Sequence, residues 1–376
     1  MPTRDWWWLP TKKKGEEARI QVQEYLEDLL AARVTSENAP AITACKLRGL
    51  IGHGSYGYVY SCTLTCTLTK DGTTITDNID SAVKIRPCER VQEDVKYFNQ
   101  ALTAAKQIVK ANLPLLDHDL TVWHPCETRF ANQSCAVIFM ESLTEKLDKP
   151  HRMPTVDDGE MITALCNLTT TLINNKVYYG DLKQPNIMLR ESTPVLVDLD
   201  GLLVYSEDFY DLYLTPTYFP FNHAYESLAL GRFQSVNKEE SKITKAHKVA
   251  AFENVAAYVT AVAGICTVIS YSLSRKHTDN PYGFNALTYF VRTYDKGPRT
   301  TAHAKLVRMF ADIEKNDDYT YLYTNAEYIV LREIIKNATP FCDPYDRTDA
   351  EIKNVYGLFY TCRANFVDRA LLLPLA

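Results

Sequence analysis

The chain has 376 residues, enough for about two and a half domains of ordinary size. Hydrophobic residues make up 46% and charged residues 23%, so disordered, collagen-like and low-complexity classes are excluded. Lys plus Arg number 41 against 46 Asp plus Glu, a net charge of -5, which argues against wholesale binding of nucleic acid or of an acidic membrane surface.

The start, MPTRDWWWLPTKKKGEE, places three tryptophans where a secretion signal needs an apolar core, and it reads as no signal peptide. Trp6, Trp7, Trp8 and the lysines that follow suit either a docking segment or a packing role. Residues 15–34 carry Ile20, Val22, Tyr25, Leu26, Leu29, Leu30 and Val34 at near-helical spacing, which predicts an amphipathic helix. Residues 35–44 read as a linker. Strand-like segments follow at 46–51, 57–68, 73–76 and 81–85, with Lys70-Asp71-Gly72 as a hairpin turn. Helical periodicity returns over 92–110, two more strands end with 135–140, and helical patterns dominate from 156 onward. No internal repeat is present, so the layout is α+β, a small β-rich unit followed by a larger, mainly helical one.

Residues 255–273 run without a charge and are long enough to span a bilayer. Their Ala, Thr, Ser and Tyr content makes a buried central helix the better expectation. The ten cysteines lie singly, without C-x-x-C or clustered histidines, and suggest neither a zinc site nor a disulfide framework. An intracellular, reducing location is expected, and the sequons at Asn132, Asn167 and Asn337 are then chance matches.

Four segments are candidates to carry chemistry. Gly52-His53-Gly54-Ser55-Tyr56-Gly57-Tyr58-Val59 fits G-x-G-x-x-G-x-V, and the β-branched residues that follow place it in a strand-turn-strand that drapes backbone over phosphates. In the apolar stretch Ala82-Val83-Lys84-Ile85 a lysine lies where burial requires a partner. Asp181, Lys183 and Asn186 share one loop with Leu182, Gln184 and Pro185. Such a carboxylate can orient an attacking hydroxyl, the lysine can offset phosphoryl charge, and the amide oxygen can take Mg2+. After the apolar Val195-Leu196-Val197, Asp198 offers a second Mg2+ ligand, with Asp200 before Gly201 as an assistant or rival.

This ordered set resembles the eukaryotic-type protein kinase family, whose G-x-G-x-x-G-x-V, V-A-I-K, H-R-D-L-K-x-x-N and D-F-G motifs occur in the same order. Further along, Ala224-Tyr225-Glu226 resembles A-P-E, with Thr215-Pro216-Thr217-Tyr218 ahead of it, and Asp343-Pro344-Tyr345-Asp346-Arg347 resembles D-P-x-x-R. The likeness covers roughly residues 47–352 and is similar to that of kinases from large DNA viruses.

The resemblance implies a bilobal fold. It assigns an N-terminal extension to residues 1–44, an N-lobe to 45–143 and a C-lobe to 144–376. It implies ATP and Mg2+ as cofactors, protein hydroxyls as substrates, and neither nucleic acid nor membrane as partner. ATP would meet Gly52, Gly54, Ser55, Gly57, Val59, Ala82, Lys84, Met140, Glu141, Leu143 and Met188, with Met140 as gatekeeper and 141–143 as hinge. Asp181, Lys183 and Lys84 would be catalytic, Asn186 and Asp198 would hold the metal, and Glu226 would pair with Arg347. Asn254 would stand where the family has the Asp of its central helix, with Val255 to Leu273 as that helix.

Besides the D-F-G position, where Asp198 matches by position and Asp200 directly precedes Gly201, the pattern departs in two places. Tyr179-Gly180 replaces the family's His-Arg, which removes the arginine that meets an activation-loop phosphate in many members. The helix after Lys84 offers Glu93 or Gln100 where a glutamate is expected; Glu93 is preferred because a buried ammonium needs a charge, and Asp198 is a further option. A Ser/Thr protein kinase is the leading expectation, with a pseudokinase scaffold or a small-molecule kinase of related fold as the alternatives.

Overall fold

A computed structural model of the chain describes residues 12–31, 40–54, 57–70, 73–88, 90–130, 133–147, 157–205, 245–276, 302–315 and 320–337. It is of the α+β class, with a five-stranded antiparallel sheet in the N-terminal part and helices later. Two compact units divide it, Met1–Leu102 with Pro114–Leu143 and Thr103–Leu113 with Thr144–Ala376.

In the first unit, α1 (Lys12–Ala31) precedes β1 (Ala41–Gly54), β2 (Gly57–Lys70) and β3 (Thr73–Cys88). Helix α2 (Val91–Ile108) follows, its residues up to Leu102 counted in this unit, then β4 (Trp123–Phe130) and β5 (Gln133–Glu141). The sheet order is β1-β2-β3-β5-β4. Two expectations change here. Residues 41–44, read as linker, are strand because they pair with β2, Ala41 opposite Thr67. The two segments 73–76 and 81–85 are one strand: Asp77, Asn78 and Asp80 have poor strand propensity, yet each has a partner on β2, and pairing overrides propensity.

Alternation divides β3 between two layers. Val83 and Ile85 join Tyr58, Tyr60, Val137 and Phe139 on one face, and α1 covers that face with Val22, Tyr25, Leu26 and Leu30. The opposite face carries Ala82, Lys84 and Arg86, also buried. There α2 contributes Phe98, whose ring lies 5.2 Å from that of Trp123 and beneath the Arg86 guanidinium at 5.0 Å. Val91, Val95, Phe98, Ala101, Leu102 and Ala105 form the buried side of α2 at three- and four-residue spacing.

The second unit contains β6 (Glu145–Lys146), α3 (Asp158–Asn174), β7 (Tyr178–Tyr179), β8 (Ile187–Arg190), β9 (Thr193–Leu196) and β10 (Leu202–Leu203). Its later helices are α4 (Lys245–Lys276), α5 (Ala302–Glu314), α6 (Thr320–Tyr323) and α7 (Ala326–Asn337). Asp157 caps α3 by accepting the Glu160 N–H at 2.9 Å. Helices α3 and α4 approach closely at Gly264, where a Cβ would lie 2.6 Å from Thr169 Cγ2. Helix α7 is tied to α3 by the Thr170 hydroxyl, which donates to Glu327 at 3.0 Å, and to α5 by Arg332 on Glu314.

Helix α4 contains the uncharged stretch singled out in the sequence. It is long and apolar enough to cross a membrane, but its apolar 18-residue window within Ala256–Arg275 is 94% buried inside the protein. Its hydroxyls have work there, as the site shows.

Candidate active site

The loop between β7 and β8 begins at Tyr179, whose side chain is wholly buried. Its N–H donates to Thr260 of α4 at 3.1 Å, and its hydroxyl donates to the Asp198 carbonyl at 3.0 Å. One residue therefore joins the central helix, the loop and the segment after β9. Burial pushes the phenol well above its ordinary range, and the nearby carboxylates of Asp198, Asp181 and Asp200 push the same way. Gly201 lies flat against this ring, where a Cβ would come within 2.8 Å of Tyr179 Cε2.

Asp181 is 6% exposed. Its Oδ2 accepts from the Lys183 ammonium at 2.9 Å and from Asn186 Nδ2 at 3.0 Å; the same amide reaches the Asp181 carbonyl at 3.0 Å. These bonds lock the carboxylate's rotamer. Gln184–Asn186 form a short 3-10 turn with Pro185 in its first positions, where a missing N–H costs nothing. The Asn186 carbonyl accepts the Val197 N–H at 3.0 Å, so the amide and Asp198 come from neighbouring segments. Asp198 is half-buried and Asp200 buried.

Helix α4 holds this loop from beneath. Gln184 Nε2 donates to the Leu147 carbonyl at 3.3 Å and to Ser274 at 3.2 Å, and its Oε1 accepts from Ser270 at 2.6 Å. The Thr267 hydroxyl lies 2.9 Å from the Leu182 carbonyl. Thr260, Thr267 and Ser274 recur at two-turn intervals on one face of an otherwise apolar helix. That periodicity is visible in the sequence, as is the loop itself, but nothing in the sequence joins the two.

Hard oxygen donors from Asn186 and Asp198, with Asp200 nearby, suit Mg2+ rather than a thiolate-seeking metal. Mg2+ keeps several ligands from water and phosphate, so two protein oxygens suffice. Among the described residues no group of three or more His, Cys, Asp or Glu is arranged to hold a metal by itself.

In the first unit Lys84 lies on the central strand, 6% exposed, directly between Val59 and Ile138. Ala82 is opposite Met140. Directly paired residues share a face, so Val59, Ala82, Lys84 and Met140 share one side of the sheet. Gly52, Gly54 and Gly57 occupy the ends of β1 and β2, and Gly54 pairs with Gly57. Gly57 has φ +155°, and a Cβ there would lie 2.2 Å from the Ile85 carbonyl oxygen. Glycine at this position is thus required by the approach to β3. The Glu141 N–H donates to the Pro114 carbonyl at 3.0 Å, and the first unit ends at Leu143. Met188 is half-buried on β8, opposite Val195.

The carboxylate preferred for Lys84 lies elsewhere. Glu93 faces solvent, paired with Arg90 at 3.3 Å, and Gln100 is exposed. Asp94, one position on, is fully buried, the one acid buried in this unit among the described residues. It lies one helical turn from Phe98, on the side of α2 that meets the β3 face bearing Lys84 and Arg86. Ser55, the tryptophans of the start, Thr215 to Glu226, and Asp343 to Arg347 lie outside the described residues.

Compared with known proteins, the chain matches no family model and no curated sequence.

Proposed function

We propose that the chain is an intracellular Ser/Thr protein kinase of bilobal fold, transferring the γ-phosphate of ATP to protein hydroxyls with Mg2+. The observation that carries this reading is the loop of the second unit. A buried carboxylate is fixed by a lysine and an amide, and that amide's backbone is tied to the segment bearing Asp198. Phosphoryl transfer asks little covalent chemistry of a protein and much positioning, and this loop is built for positioning.

In the proposed reaction the substrate hydroxyl attacks the γ-phosphorus while the bond to the bridging oxygen breaks and ADP departs. Asp181 receives the hydroxyl proton. Lys183, already 2.9 Å from Asp181, neutralises charge beside the transferring group. Asn186 and Asp198 would hold Mg2+, which when bound draws negative charge from the phosphates. Lys84 would reach phosphate oxygens from the sheet face that carries Val59, Ala82 and Met140, the apolar wall for the base. Asp94, buried on the side of α2 that meets this face, is the acid assigned here as counter-charge to Lys84 and Arg86.

The test is transfer of labelled γ-phosphate from Mg-ATP to the protein itself and to generic basic and acidic protein substrates, beside Asp181→Asn. Label on Ser or Thr with wild type alone is expected. Transfer by the variant at the wild-type rate refutes the role of Asp181. Binding of ATP without transfer favours a scaffold, the reading supported by the absence of the family's arginine before Asp181. Label confined to metabolites would make the chain a small-molecule kinase.

A further inference from the structure

Glycine inside a helix costs about 1 kcal/mol relative to alanine, so its presence near the start of α1 calls for a reason. The reason is contact. A Cβ on Gly15 would lie 2.8 Å from Leu50 Cδ2 and 2.9 Å from Tyr58 Cδ1. Leu50 stands just before Gly52, and Tyr58 directly follows Gly57, so both belong to the root of the glycine-rich hairpin. Tyr60, opposite Leu50 and wholly buried, donates its hydroxyl to the Gly15 carbonyl at 2.9 Å.

The rest of the helix is anchored independently. Gln23 Nε2 donates to the Cys45 carbonyl at 2.8 Å and its Oε1 accepts the Leu47 N–H at 2.8 Å, so one side-chain amide makes both hydrogen bonds of a strand rung on β1. Tyr25 reaches the Cys126 carbonyl at 3.4 Å, across the sheet on β4. Helix α1 is therefore a rigid bar fixed to the sheet along its length, with its first turns resting on the hairpin.

We infer that α1 sets the height of the glycine-rich hairpin and thereby tunes nucleotide affinity, with Gly15 as the positioning residue. This rests on the reading of that hairpin as the phosphate-binding loop. Chain before the sheet is then part of the nucleotide-binding machinery, and any partner that lifts α1 would loosen the hairpin.

The experiment compares Gly15→Leu and the milder Gly15→Ala with Gln23→Leu in the full chain. Mg-ATP titration, steady-state transfer and hydrogen exchange of the amides in 50–60 are followed together. Both Gly15 variants are expected to raise Kd and KM for ATP, Gly15→Leu by at least about fivefold, with kcat little changed. They should also speed hairpin exchange. Gln23→Leu should lower the melting temperature while leaving ATP affinity and hairpin exchange at wild-type values. Adding Leu50→Ala to Gly15→Ala should restore affinity in part, because it removes two of the three closest contacts.

Unchanged affinity in both Gly15 variants, or an equal loss in Gln23→Leu, overturns the inference, since the helix would then act through stability alone. Wild type that binds no Mg-ATP refutes the kinase reading instead. The exchange data still decide in that case, because hairpin amides insensitive to Gly15 overturn the mechanical half as well.

Discussion

Replacing Gln184 by Met tests whether the candidate loop is held by α4. The two side chains have similar length and volume, so the change removes hydrogen bonds without opening a cavity. The bonds lost include those to Leu147, Ser274 and Ser270. Ser274 keeps its own helix bond to the Ser270 carbonyl at 2.6 Å, so the cost falls mainly on the Leu147 carbonyl and the Ser270 hydroxyl, each of which gives up a bond to Gln184. At about 1–2 kcal/mol for each, the expected destabilisation is about 2–4 kcal/mol. With a urea slope of about 2–3 kcal/mol/M, the unfolding midpoint should fall by about 1 M at unchanged slope. Ser270→Ala alone should cost about 1 kcal/mol, and the double variant less than the sum, because both changes break one bond. A midpoint within about 0.2 M of wild type would show that this network does not anchor the loop, and the structural role given to the hydroxyls of α4 would fail with it.

Gly57→Ala should destabilise by about 1–3 kcal/mol and weaken Mg-ATP binding, because its Cβ meets backbone on β3 that cannot swing aside; thermal unfolding with and without ATP measures both. Asp94→Asn should cost about 3–5 kcal/mol by leaving buried cations without their charge, whereas Glu93→Gln, at an exposed pair, should stay within about 0.5 kcal/mol; equal effects would refute the assignment. Burial pushes the Cys88 and Cys166 thiols up to about 12, above the unfolded value of about 8.5. The folded chain therefore holds these protons more tightly than the unfolded chain. The stability this confers is whole below about 8.5 and is lost as pH rises toward about 12. Replacing both with Val should flatten the decline in urea midpoint between pH 8 and 11, and an identical decline would remove the thiols as its cause.

Sequence patterns identified the secondary structure where a local signal and the tertiary environment agree. The alternation of β2 and the apolar run around Lys84 predicted strands, and the uncharged stretch of α4 predicted a buried helix; all three are present. Chain order alone brought Asp181, Lys183 and Asn186 together, because residues so close in sequence meet through one turn whatever surrounds them. The failures fall where a distant partner decides. Residues 77–80 carry three polar side chains that argue against a strand, yet β2 pairs with every one of them. Nothing near Gly15 in sequence announces Leu50 or Tyr58, and so the glycine reads as an ordinary weakness in a helix.

The acid on α2 is the most instructive case, because the error is one of helix phase. Glu93 and Asp94 are adjacent acids, about 100° apart around the axis, and charge alone cannot rank them. Phe98 can. It is the largest apolar side chain of α2 and packs on Trp123, so it must face the sheet. One turn back from Phe98 stands Asp94, not Glu93, and Ala101 and Ala105 continue the same row. Sequence alone does not set this phase, because Tyr97, four residues after Glu93, is an adjacent aromatic that is also buried, and the packing of Phe98 on Trp123 decides between the two rows. The hydroxyls of α4 pose a related question. Once its apolar surface marks it as a core helix, the hydroxyls at two-turn spacing are surplus to packing, and a buried hydroxyl must find an acceptor or donor. Their own helix meets part of that need, Thr267 bonding the Ala263 carbonyl at 2.8 Å and Ser274 the Ser270 carbonyl at 2.6 Å, so spacing alone does not demand a partner segment; Tyr179, Leu182 and Gln184 lie along that face and use the capacity that remains.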